Sequence, residues 1–349
     1  RDKFADLFED IKNAEEFVHA NYYIINDDQL GDRFMQLLTK KAAEGVEVRL
    51  LYDRMGCRNL SRYAIFKLED AGGEAAPFAP FVLDMNYRNH RKNLVIDGQI
   101  GYLGGINIGD EYLGHSRRFG DWRDTHLRLK GESVDSLQYR FLLDWNFATG
   151  NDLVGEQRYF PEKELTGNVA CQIVSSGPDS KEAEIKSLFL KMIYEAEKSI
   201  YIQTPYFIPD QSMLEALKLA AHSGVDVKIM IPDRGDHPFV YAANNSFIGE
   251  LLDSGACCYR YTKGFLHSKT LSIDSRVLSI GTTNMDVRSF KLNFEINAFI
   301  YDREVAGYHD QIFEEDLENS KEITREVYEA RGWTMKIRES VSRLLSPIL

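Results

Sequence analysis

The chain has 349 residues, 44% of them hydrophobic and 28% charged, enough for a sizeable core and for two domains. Its formal net charge is −12, which argues against a general nucleic-acid binder, because that class needs a broad cationic surface; any anionic substrate has to be held by local cations. No run of roughly 18 or more apolar residues occurs, so these residues hold no transmembrane helix.

The first residues already read as a helix, with Phe4, Leu7, Phe8 and Ile11 at helical spacing. The start at Arg1, without a methionine, reads as a fragment whose natural N-terminus lies upstream, which leaves room there for an anchor or a signal. AEEFVHANYYIINDD (Ala14–Asp28) then runs from a helix into an apolar strand and a turn, and KAAEGVEVRLLYDR (Lys41–Arg54) is a helix end, a glycine stop and a buried strand closing on Asp-Arg. PFAPFV (Pro77–Val82) is an aromatic loop suited to a lipid entrance.

HRKNLVID follows, carrying His90, Lys92 and Asp97, and then GGIN, ending at Asn107. Asp124 comes next, in GDWRDTHLRL, beyond an insertion around Gly114–Phe119. The polar, Gly/Pro-punctuated stretch Gly150–Asn168 is the weakest join and puts a domain boundary near residue 165, giving domains 1–165 and 166–349.

The same order then repeats. ACQIVSS (Ala170–Ser176) opens the second half as a strand; AEKSIYIQTPYFIPD (Ala196–Asp210) parallels Ala14–Asp28, and LAAHSGVDVKIMIPDR (Leu219–Arg234) parallels Lys41–Arg54. The loops TPYFIP and HPFVYAANNSF are again aromatic. HSKTLSID carries His267, Lys269 and Asp274, and GTTN ends at Asn284. His90 to His267 and Asn107 to Asn284 are both 177 residues apart. Glu295 interrupts an otherwise apolar strand, and Trp333–Leu345 is a basic amphipathic helix that either docks on the body or lies on a membrane. Each half therefore alternates helix and strand, as βα units packed on a largely buried sheet.

One HxK pattern carries little information; the full pattern doubled at one offset carries a great deal. On a strand, residues two apart share a face, so His and Lys of each copy project together, while the Asp falls on the opposite parity and is better placed to fix the strand or a cation. Two halves brought together about a pseudo-twofold axis offer two imidazoles, two lysines and two asparagine amides. One imidazole attacks while the other protonates the leaving group and later deprotonates the acceptor. Lysine and asparagine donate to anionic oxygens, so the pattern suits phosphodiester transfer through a phosphohistidine without a metal or other cofactor. No Asp-x-Asp or His/carboxylate cluster has metal-ligand spacing, and Cys57, Cys171, Cys257 and Cys258 read as reduced cytosolic thiols. A carboxylate usually orients such a histidine, and the candidates are Asp124, 34 residues after His90, and Glu295, 28 residues after His267. Arg123 and Tyr206 are further candidates for substrate binding. His126 and His237 read as structural; His19, His115, His222 and His309 lie on helix or loop patterns and receive no role.

These residues resemble the phospholipase D superfamily, and the flanking blocks FGDWRDTHLRL, IQTPYFIPD and GTTNMDVRSFKLNFEINAFIYD favour its bacterial cardiolipin synthase branch. The resemblance spans nearly the whole chain. It implies two tandem α/β sandwich domains with the active site between them. The implied reaction condenses two phosphatidylglycerols into cardiolipin and glycerol at the bacterial cell membrane, on its cytoplasmic face, with anionic membrane lipid as partner. Within the superfamily the alternative is a hydrolase that uses water as acceptor. The family's motif residues carry over onto His90, Lys92, Asp97, Asn107, His267, Lys269, Asp274 and Asn284, and its histidine-orienting acids onto Asp124 and Glu295. Gly104-Gly105 stands where the family often has Gly-Ser, so a hydroxyl contact is missing on that side.

Overall fold

A computed structural model describes residues 2–78, 86–116, 118–163, 167–236 and 238–344. The boundary expected near residue 165, His237, Leu345 and most of the Pro77–Val82 loop lie outside them. The chain forms two compact units. Unit 1 is Arg1–Ser116, His126–Asn168 and Asn293–Ile296; unit 2 is Arg117–Thr125, Val169–Leu292 and Asn297–Leu349. Two short segments thus belong to the unit of the opposite sequence half.

Unit 1 has a six-stranded sheet in the order Glu74–Phe78, Glu47–Asp53, Phe17–Tyr22, Asn93–Ile96, Ile100–Gly104, His126–Lys130. The first three strands are parallel and the rest antiparallel. Every residue of Phe17–Tyr22 is buried, as a strand covered on both faces must be. That strand includes His19, which therefore sits in the sheet and not on a helix or loop; Gln138 and Glu47 bind its ring. The helices Gln29–Ala43 and Ser133–Thr149 pack on the sheet, and the opening helix Asp2–Lys12 buries Phe4, Leu7, Phe8 and Ile11 at the spacing its sequence shows.

Unit 2 repeats the plan. Its sheet runs Ser320–Glu322, Cys257–Tyr261, Asp226–Pro232, Ser199–Gln203, Thr270–Ile273, Val277–Gly281 and then the end of Asn293–Ile300, which Cys171–Ser176 also joins. The duplication reaches the register: Val18 pairs with Ile96 and Ile200 with Ile273, again 177 residues apart on the second strand.

The closing aspartate of each motif makes the turn after the strand. Asp97 and Asp274 have φ of 51° and 52°, and Gly98 and Ser275 follow at 62° and 48°. Two successive positive φ values are the type I′ pattern, and Asp is among the few side chains that tolerate it. The Asp97 carboxylate accepts from the backbone N–H groups of Glu15, Glu16 and Phe17 at 2.8 to 2.9 Å. Asp274 accepts from Glu197, Lys198 and Ser199, the closest at 2.7 Å. Each carboxylate stitches the motif hairpin to the start of the neighbouring strand, as the strand parity implies.

The last helix, Trp333–Leu344, packs on the helix Pro238–Asp253 through its buried Glu339 and Ser342. Its outer side keeps Trp333, Ile337, Val341 and Leu344 exposed beside exposed Lys336 and Arg338. The docked reading therefore applies to its inner face. Arg343 belongs to the docked face, ion-paired with Glu250.

Replacing Asp97 or Asp274 with Ala should cost about 1–3 kcal/mol each, because charge-assisted bonds to backbone N–H groups are lost. Asn, which tolerates the turn and keeps an acceptor, should cost clearly less. Urea unfolding midpoints test this; equal losses for Ala and Asn would contradict the account.

Candidate active site

His90 lies in the extended link between the strands Arg88–Asn89 and Asn93–Ile96, and His267 in the link between Gly264–Leu266 and Thr270–Ile273. The sequence placed both at the head of a strand; both in fact fall in the gap between two short pairings. In unit 1, Arg88 and Asn89 pair in parallel with Asn293 and Phe294, and the His90 N–H donates to the Phe294 carbonyl at 2.9 Å. In unit 2, Gly264–Leu266 pair in parallel with Asp121–Arg123, and the His267 N–H donates to the Arg123 carbonyl at 2.7 Å.

The residue after each accepting carbonyl is the acid. Nδ1 of His90 lies 2.9 and 3.0 Å from the two Glu295 carboxylate oxygens, and Nδ1 of His267 lies 2.7 Å from Asp124. The sequence proposed both acids but counted each from the histidine of its own half. The structure exchanges them: Glu295 serves His90 and Asp124 serves His267, each inside one compact unit because the short segment around the acid has moved there. Both carboxylates are almost wholly buried, with side-chain exposures of 0% for Glu295 and 1% for Asp124. A carboxylate on Nδ1 fixes the proton there and leaves Nε2 with its lone pair. Burial pushes the Asp124 carboxyl up, but the charges of Lys269 and His267 outweigh it and hold it below the usual range.

Lys92 and Lys269 are buried and each donates to the carbonyl of its own histidine, at 2.5 and 2.6 Å. Lys269 Nζ also lies 2.9 Å from His267 Nδ1. That nitrogen donates to Asp124, so this contact is electrostatic crowding and not a second hydrogen bond. A buried cation thus stands beside each imidazole. Asn107 receives the Ile24 N–H at 3.2 Å and donates to the Tyr112 hydroxyl, whereas the side-chain oxygen of buried Asn284 has no hydrogen-bond partner among the described residues.

Under each acid lies an arginine that sequence reasoning missed or misplaced. Arg91, fully buried, donates to the Glu295 carbonyl at 3.1 Å and ion-pairs with Asp144 at 2.8 Å. Arg123 donates to the Asp124 carbonyl at 2.8 Å and ion-pairs with Asp316 at 2.8 Å. Arg123 was expected to bind substrate; its guanidinium is instead occupied by Asp316, Thr125, Ser268 and the Asp124 backbone, which makes it a brace for the acid. The two units supply this cation from opposite strands. Where unit 1 has Arg91 after the histidine and Phe294 before the acid, unit 2 has Ser268 and Arg123. The only signal in the sequence is a carboxylate inside an apolar helical stretch, as at Asp144 beside Phe141, Leu142 and Trp145. The Tyr206 hydroxyl donates to Asp236. An aromatic ring flanks each histidine: Tyr23 centres 4.9 Å from His90, and Trp122 5.0 Å from His267. Asp53 is a further missed residue: its carboxylate accepts the Asn89 N–H at 2.9 Å, immediately before His90.

The model of one protein family, "Cardiolipin synthase, PLD-like domain", matches residues 7–118 and 189–317, most of the chain and both motifs. The chain belongs to this family. Cardiolipin synthase 2 of Staphylococcus epidermidis is 53% identical over 353 aligned residues, covering 99% of this chain and 72% of that protein. Cardiolipin synthase of Listeria monocytogenes is 50% identical, covering 100% of this chain and 73% of its own. Among solved structures, phosphatidylserine synthase of Haemophilus influenzae superposes with a TM-score of 0.74 at 14% identity, over 99% of this chain and 92% of that one, a likeness of fold.

If the acids act by holding the tautomer, Glu295→Gln and Asp124→Asn should lower kcat by about 100-fold or more with little change in KM. The Asp124 carboxyl is depressed in the folded protein, so the stability it contributes is complete above its unfolded value and is lost only as pH falls through the folded one. Asp124 should therefore stay ionised until pH falls below the ordinary carboxylate range. A loss of activity on acidification that sets in above that range and is removed by Asp124→Asn would contradict this.

Proposed function

We propose that the protein is a phosphatidyltransferase that makes cardiolipin and glycerol from two phosphatidylglycerols. The observation that carries the chemistry is the pair of histidines, each held at Nδ1 by a buried carboxylate and accompanied by a buried lysine. His90, neutral, attacks the donor phosphorus through Nε2, the bond to the donor's glycerol oxygen breaks, and His267, entering this step as the imidazolium, gives that oxygen its Nε2 proton and is left neutral. His267 then takes the proton from the hydroxyl of a second phosphatidylglycerol. That oxygen attacks the phosphohistidine, releasing His90 and forming cardiolipin. Lys92 and Lys269 offset the charge on the non-bridging oxygens, with Asn107 and Asn284 as further donors. The step needs no ATP, because one phosphodiester is exchanged for another.

Labelled phosphatidylglycerol in detergent micelles should give cardiolipin plus glycerol. Rapid quenching should trap label on His90, and His267→Ala should still accept a phosphatidyl group from a donor with a good leaving group. Phosphatidic acid as the sole lipid product would point to the hydrolase, in which water is the acceptor; label on His267 would reverse the assignment.

Among the described residues no helix is long and apolar enough to cross a membrane. The proposed site of action is the cytoplasmic face of the bacterial membrane, with the outer side of Trp333–Leu344 lying on anionic lipid and nucleic acid no partner. Lys336→Gln and Arg338→Gln should each weaken binding to phosphatidylglycerol vesicles by about 1 kcal/mol, roughly fivefold, and Ile337→Asp should weaken it further. Unchanged binding at low salt would leave this helix its docked role alone.

A further inference from the structure

Making cardiolipin requires two anionic lipids, whereas hydrolysis requires one. The donor's phosphorus reacts. The acceptor brings a second phosphate that is not transferred, and a chain with a net charge of −12 must still attract it. A cavity of about 220 Å³ in unit 2 offers the means. Arg118, Arg234 and Lys263 line it, against one carboxylate, Asp233. Arg118 is fixed: its guanidinium donates to the Asp236 carbonyl at 2.6 Å and lies 4.8 Å from the centre of the Phe119 ring. Arg234 and Lys263 are exposed, and neither has a hydrogen bond or ion pair among the described residues.

The cavity is next to the chemistry. Phe119 and Phe265 both line it. The Phe265 ring centres 6.0 Å from the His267 ring, and Phe119, Phe265 and Trp122 form a continuous aromatic wall with centroid spacings of 4.9 to 5.7 Å. Gly264 sits beside that wall, where a Cβ would lie 2.0 Å from the Asp121 carbonyl oxygen, so the strand pairing that carries Phe265 and His267 admits no side chain there. In a phosphatidylglycerol, five single bonds separate the phosphorus from the terminal hydroxyl, an extended reach on the order of 6 Å at about 1.5 Å a bond with its angles.

We propose that this cavity binds the phosphate of the acceptor phospholipid and so sets the acceptor's glycerol hydroxyl beside His267. The assignment rests on the phosphatidyltransferase reading above and deepens it. A bound acceptor phosphate favours the lipid alcohol over water, so these cations govern the ratio of cardiolipin to phosphatidic acid. A phosphate diester in a lipid and free inorganic phosphate share the chemistry that three cations recognise.

The test is the double variant Arg234→Gln/Lys263→Gln, both exposed and both outside the buried core. With a phosphatidyl donor carrying a chromogenic leaving group, two acceptors are compared in micelles: phosphatidylglycerol, which is anionic, and glycerol, which is neutral. The cardiolipin rate should fall at least tenfold more than the rate with glycerol, while the share of phosphatidic acid rises. Inorganic phosphate should compete against the lipid acceptor alone. Equal losses with both acceptors, or no loss with either, would overturn the proposal. So would weakened vesicle binding with an unchanged product ratio in micelles, which would make the cations membrane anchors, or phosphate binding that alters neither rate, which would make the cavity a free-anion site. Wild-type protein that makes no cardiolipin at all would instead refute the underlying reading.

Discussion

The site depends on a buried carboxylate held against an imidazole. An ionised acid taken out of water is costly unless it is paired and hydrogen-bonded. Glu295 and Asp124 are both almost fully buried, so the fold has to provide that pairing. It does so twice in one way: the histidine's own N–H donates to the carbonyl before the acid, its Nδ1 meets the carboxylate, and a guanidinium holds the carbonyl after it. Three bonds to consecutive groups leave the ring little freedom, and Nε2 becomes the one nitrogen free for chemistry.

That arrangement explains why two short segments belong to the unit of the other sequence half. Each acid comes from the half that does not supply its histidine, so neither half of the sequence contains a complete histidine–acid pair. The arginine braces show how loosely this is tied to particular positions. A guanidinium is needed under each acid with an aspartate on a long helix to neutralise it, and the units meet that need from opposite strands, Arg91 in one and Arg123 in the other. The repeat preserves the electrostatics and varies the residue that supplies them.

Charge is distributed to the same end. The chain is acidic overall, yet Lys92 and Lys269, each bonded to its own histidine, are both buried, and the cavity beside Phe265 is lined by three more cations. A negative surface with a few local cations discourages nonspecific polyanion binding while still accepting a single phosphate where the geometry is right.

The sequence alone determined the duplication, the α/β class, the two motifs and the family. Repeat offset, helical and strand periodicity and glycine stops are local or one-dimensional signals, and they survive in the chain without knowledge of its folding. Strand parity also set Asp97 and Asp274 apart from His and Lys, as residues better placed to fix the strand or a cation; the turn they make appeared only in the fold. The partnership of acid and histidine was decided only in three dimensions: Glu295 and His90 are 205 residues apart, and nothing in spacing distinguishes a same-half from an opposite-half pair. The same holds for Arg123, which as a sequence feature is a spare cation near a motif. Its role follows from Asp316, 193 residues away, which the tertiary fold brings within 2.8 Å and which takes the charge that a substrate would otherwise have met.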